Sequence, residues 1–126
     1  MDKKVVGYWI LTVLTALSIG AGGVMDVMGG KDIADGMAHL GFPAYAATII
    51  GVWKLAGVIV VLAPKLARLK EWAYAGIVVD LVSASACHAF TGDPAGNVIT
   101  PRVITLIVLG SWFLRPQSRR LEGALI

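Results

Sequence analysis

GVWKLAGVIVVLAP, residues 51–64, carries one charge, Lys54. It is the second half of an apolar run from Leu40 to Leu62 that no other charge interrupts. A run of this length suits a transmembrane helix, which needs about 20 apolar residues. Pro43 stands where such a helix begins, a position at which its missing N–H does no harm, and Pro64 ends it. Reading the run as a membrane span makes Lys54 costly. An ammonium at the bilayer centre is unfavourable by about 2.5–3.5 kcal/mol on insertion scales. The run therefore raises two matters together: the solvent of the fold, and the partner of Lys54.

The rest of the chain answers the first. Val5 to Met25 has no charged residue, Trp72 to Phe90 has only Asp80 and His88, and Val98 to Leu114 has only Arg102. Of the 126 residues, 57% are hydrophobic and 15% charged, against roughly 45–50% and 25% in ordinary soluble domains. Mean hydropathy is +0.78. A soluble chain of this size has too much surface to hide that much apolar side chain. The expectation is a single membrane domain over 1–126. Its fold is all-α, a four-helix transmembrane bundle with spans at about 5–28, 43–63, 72–90 and 98–115. The first run resembles a secretory signal, but its apolar part exceeds the roughly 7–15 residues of a signal core, and a retained span is expected.

Charge placement predicts orientation. Lys3, Lys4, Lys65, Arg68, Lys70, Arg115, Arg119 and Arg120 flank one set of span ends, whereas Lys31 and Arg102 fall at the other. The excess of Lys and Arg on cytoplasmic loops puts both termini and the PKLARLKE turn in the cytoplasm. Glu71 and Arg68 on that turn are expected to face water. Tyr8, Trp9, Trp72 and Trp112 are expected to form an aromatic belt at the same level. In the first outer loop, Ile33, Met37 and Leu40 share one face at helical spacing, which predicts a short interfacial helix. The basic residues punctuate apolar runs and do not cluster on a polar domain, so nucleic acid is not an expected partner. Cys87 is the only cysteine, which excludes an internal disulfide and a two-cysteine redox motif. No metal set is evident, since two histidines and two aspartates on separate segments are weak ligand evidence.

Depth matching addresses Lys54. It lies roughly 13 Å from the cytoplasmic end of its span and Asp80 roughly 12 Å from the same side, at 1.5 Å of rise per residue. A Lys54–Asp80 ion pair is expected. Asp26 and His88 lie nearer the outside, and Asp80, Ala84 and His88 share a helix face with Ser83 beside it. Small residues at Gly76 and Ala84 are expected to admit a neighbouring helix. Asp26, Lys54, Asp80, His88 and Ser83 are thus candidate lining of an intramembrane polar pocket, with His39 at its mouth. Such a pocket suits a small amphipathic ligand, a quinone headgroup for example. The competing reading is structural: the Lys–Asp pair fixes helix register, the histidines bond loop carbonyls, and Cys87 is a small buried hydrophobe.

LGFPAYAATIIGVWKLAGVIVVLAP, LKEWAYAGIVVDLVSASACHAFTGD and the closing SWFLRP resemble the DoxX-like family of small four-helix membrane proteins, from about Tyr8 to Pro116. The matching elements carry Tyr45, Lys54, Gly57, Trp72, Tyr74, Gly76 and His88. The resemblance implies the same fold, a link to quinone-dependent sulfur oxidation through the family's namesake, and membrane partners in redox or stress systems. Three functional expectations follow: an accessory protein with a ligand pocket, for which quinone is a possible cofactor; an assembly protein without a ligand; and a membrane enzyme with His88 or Asp26 as base. The last has no visible nucleophile or complete catalytic set. Other membrane or redox proteins, the lipid bilayer and a second copy of the chain are the expected partners.

Overall fold

The computed structural model describes residues 2–120; residue 1 and residues 121–126 of the expected domain lie outside it. Five α-helices follow one another: α1 Lys3–Met28, α2 Lys31–His39, α3 Tyr45–Leu62, α4 Ala67–Phe90 and α5 Ala95–Leu114, then a 3-10 turn at Gln117–Arg119. Helices α1, α3, α4 and α5 are each long and apolar enough to cross a membrane. In hydrocarbon a lone segment satisfies its backbone only as a helix, which is why four apolar runs become four helices. The short α2 is the helix expected in the first loop; Ile33, Ala34 and Met37 within it and Leu40 at its C-cap are half-buried, and it packs lightly on α3.

The four long helices form a ring in the order α3, α1, α5, α4, and three of the four seams are tight. At the α1/α3 seam the backbones meet glycine to glycine. A Cβ on Gly51 would lie 2.8 Å from the Gly23 carbonyl oxygen and 2.8 Å from Asp26 Cβ. At α1/α5, a Cβ on Gly110 would lie 2.7 Å from Leu11 Cδ1. Without a hydrophobic drive between helices in lipid, such close approach supplies the packing. The fourth seam, between α3 and α4, is the loosest of the ring. There a Cβ on Gly76 would touch nothing within 4 Å. Gly76 therefore admits no neighbouring helix, contrary to expectation; it lines an opening.

The core at the centre of the ring combines Ile19, Val61, Ile77, Leu81 and Val108 with hydroxyl groups. Thr12 Oγ1 and Ser111 Oγ share a hydrogen bond of 2.7 Å, and Tyr74 OH and Ser111 Oγ one of 2.8 Å. Tyr8 is fully buried beside them, so it is a core residue and not part of a belt. Trp9 and Trp72 do face outward.

Helix α4 starts at Ala67, before the apolar run that begins at Trp72. The reason lies in Lys70 and Glu71, both of which turn inward. Lys70 is 1% exposed. Its ammonium donates to the carbonyls of Val60 (2.9 Å), Ala63 and Lys65 (2.7 Å). These carbonyls belong to the end of α3 and to a turn in which Lys65 and Leu66 hold φ of 62° and 56°. Left-handed conformations cost non-glycine residues roughly 1–2 kcal/mol each, and Lys70 holds the chain there. Glu71, expected in water, pairs with Arg115 at 2.5 Å and accepts from Trp112 Nε1 at 2.9 Å. Arg119 donates to the carbonyls of Val61 and Ala63, both at 3.1 Å, and lies 4.9 Å from the Trp9 ring centroid. Cations at a helix C-terminus satisfy orphan carbonyls and the helix dipole together.

Candidate functional site

Lys54 Nζ donates to Asp26 Oδ2 at 2.9 Å, while Asp80 Oδ2 lies 3.9 Å away. The expected Lys54–Asp80 contact exists, but Asp26 is the main partner. The glycine crossing explains this. Asp26 stands three residues after Gly23 and Lys54 three after Gly51, so the point where α1 and α3 nearly touch brings the two side chains together. Depth along the helices alone favours Asp80 on α4. The result is one ammonium between two carboxylates on three helices.

Asp80 is the incompletely answered member. Among the described residues it has the ion-pair contact to Lys54 and accepts no hydrogen bond. The buried stripe of α4 is Lys70, Tyr74, Ile77, Leu81 and Ser85. Asp80 stands beside that stripe and faces the loose α3/α4 seam. The seam holds a groove of about 550 Å³ lined by Trp53, Lys54, Gly57, Trp72, Gly76 and Asp80 with aliphatic neighbours. Lys54 and Asp80 are its charged groups, and its other walls are aliphatic or aromatic.

The remaining candidates lie elsewhere. Ser83 is exposed on the outer surface of α4 and does not join the charged group; Ser85 is the inward serine. Ser85 Oγ donates to the Val98 carbonyl at 2.8 Å and accepts from Arg102 Nε at 3.0 Å, so Arg102 is bonded to a protein group. His88 is two helical turns beyond Asp80, roughly 12 Å along the axis, and is committed to Asp93. His88 Nδ1 donates to Asp93 Oδ2 at 2.6 Å, and His39 Nε2 to Asp93 Oδ1 at 2.5 Å. Thr91 Oγ1 adds a bond of 3.2 Å to Oδ2. These bonds, that from His88 foremost, hold the Asp93 carboxyl down at about 2. The histidines and Asp93 thus clasp α2 to the α4–α5 loop. Asp93 went unnoticed in the sequence, where TGDP reads as a turn; its position five residues after His88 was the available signal. Among the described residues, no three of His, Cys, Asp and Glu gather as a metal set.

Fold and site together define a multi-pass integral membrane protein: a four-helix bundle with a charged triad, two members of which line an open seam. The family model described as the DoxX-like family matches residues 10–111, and the chain belongs to that family. No curated protein and no solved structure matches it.

Proposed function

We propose that this chain is a membrane accessory protein that holds a small amphipathic molecule in the α3/α4 groove, its apolar body between Trp53 and Trp72 and its polar head at Lys54 and Asp80. The observation that carries this reading is the coincidence of the loose seam with the unanswered carboxylate. Burying a charge without full pairing is unfavourable, and intramembrane ionisable groups that persist mark functional sites. The groove has the volume and the mainly apolar lining of a small-molecule site. A quinone, the class implied by the family resemblance, is one molecule of suitable form. The orientation that accompanies this reading has the termini and the α3–α4 turn in the cytoplasm, which a reporter fused to the C-terminus checks.

Gly76→Leu gives the test. Its new side chain enters open space, so the helix keeps its fold while the groove fills. Binding of a decyl-substituted quinone or of 4-phenylbutan-1-ol, measured in lipid nanodiscs against empty nanodiscs, is expected for the wild type and lost in Gly76→Leu. Equal signals from both proteins, or none from either, would sink the proposal. A second reading also has an observation in its favour: the 2.9 Å Lys54–Asp26 bond ties α1 to α3 and is complete without a guest. On that reading the protein is a ligand-free assembly partner, and it co-purifies with another membrane protein and no small molecule.

A further inference from the structure

We infer that the groove is selective for a cationic head, a protonated amine carried on an apolar body. This rests on the groove reading above and adds the chemistry of the ligand. Charge counting comes first. Asp26 and Lys54 are joined at 2.9 Å and together are neutral. Asp80 then supplies a surplus negative charge at the groove wall, with its side chain 30% exposed. A carboxylate has about four lone-pair sites, and no donor within hydrogen-bond distance fills any of Asp80's among the described residues. Water fills such sites at a protein surface, but hydrocarbon offers nothing. A head that brings both donors and a positive charge completes the triad as two cations with two carboxylates.

The aromatic lining is independent of that count. Trp53 and Trp72 both line the groove and are each 73% exposed. Their indole faces attract cations and apolar groups alike, and cation–π attraction strengthens when water is excluded. Asp80 is the group that recognises an ammonium, and Trp72, two helical turns from it on α4, flanks the apolar body. An anionic head meets the opposite: Lys54 is already committed to Asp26, and Asp80 repels it. A neutral acceptor such as a quinone carbonyl has only Lys54 to address and leaves Asp80 unanswered. Gly76 stands one turn before Asp80 on α4 and leaves the space beside it open.

Three water-soluble probes of matched size separate these heads: 4-phenylbutylamine, 4-phenylbutan-1-ol and 4-phenylbutyrate. Each is titrated into the protein in nanodiscs of zwitterionic lipid, with empty nanodiscs subtracted, by calorimetry and by tryptophan fluorescence. The amine is expected to bind roughly ten-fold more tightly than the alcohol, and the carboxylate least. Asp80→Asn, nearly the same in shape, should lower the amine's affinity roughly ten-fold and abolish the preference for amine over alcohol. If alcohol and amine bind the wild type equally, or if Asp80→Asn keeps the preference, the cationic head is refuted and the groove reading stands. If none of the three binds, both fall.

Discussion

Lys70 and Lys54 are two lysines on membrane-spanning helices, and the protein treats them oppositely. Lys70 is sealed at one end of the bundle and spends its three N–H bonds on three backbone carbonyls. Lys54 lies at mid-span, bonded to one carboxylate and 3.9 Å from a second, with a groove beside it. The first region is held mostly from within the chain: Arg119 donates to further carbonyls at the same end of α3, and Glu71 joins Arg115 to Trp112, with Arg115 Nε left without a partner among the described residues. The second contains an acceptor that no described residue fills. A buried charge answered by fixed backbone is architecture, whereas one facing an open seam is what the proposed guest would meet.

The comparison breaks first at Lys70. Lys70→Met should destabilise the bundle most, by about 3 kcal/mol, because buried carbonyls lose their donor and the left-handed turn at Lys65 and Leu66 loses its clamp. Denaturant titration in mild detergent, followed by helical circular dichroism, reads this; a loss under about 1 kcal/mol would mean the end is not closed by Lys70. Next, Gly51→Val should cost about 2–3 kcal/mol by overpacking. Its Cβ meets Asp26, Gly23 and Val27, each at 2.8 Å, and α1 must move away from α3. The same titration measures it, and a neutral result would contradict the close crossing that pairs Lys54 with Asp26.

A smaller effect sharpens the Lys54 side. Lys54→Met leaves two partly exposed carboxylates without a cation and should cost about 2 kcal/mol. Adding Asp26→Leu should recover part of that loss, and more than adding Asp80→Leu does. The reverse order would make Asp80 the true counter-ion. The smallest effect belongs to the outer clasp. The Asp93 carboxyl is depressed from an ordinary 3.8 to about 2, so the unfolded chain takes up its proton at higher pH than the folded one. Its contribution is then fully present above 3.8 and fades as pH falls towards 2. The melting difference between wild type and Asp93→Asn should shrink over that window; a constant difference would show that the clasp does not depend on its charge.

Most of the fold was legible, because hydrocarbon leaves a chain few options. Four apolar runs had to become helices, and the periodicity of Ile33, Met37 and Leu40 predicted α2. The start of α4 was not legible. Lys70 and Glu71 read as a solvated turn, and nothing in their identity says that backbone carbonyls and Arg115 will enclose them. The candidate site was half legible. Asp26, Lys54 and Asp80 do converge, but depth is a one-dimensional measure and cannot tell which helices touch. Gly23 and Gly51 decide that, and their spacing to Asp26 and Lys54 is the same. His88 and His39 left the group because Asp93, an ordinary turn residue by sequence, collects both. Ser83 was misplaced by helical phase: it shares neither the buried stripe nor the groove edge.

The central claim is that the α3/α4 seam is kept open for a guest. Native mass spectrometry of the protein extracted in its own lipid tests it most directly. The wild type should retain a small amphipathic molecule at one per chain, and Gly76→Leu, equally folded, should emerge without it. A wild type that carries no adduct, or a Gly76→Leu that carries the same one, would contradict the account.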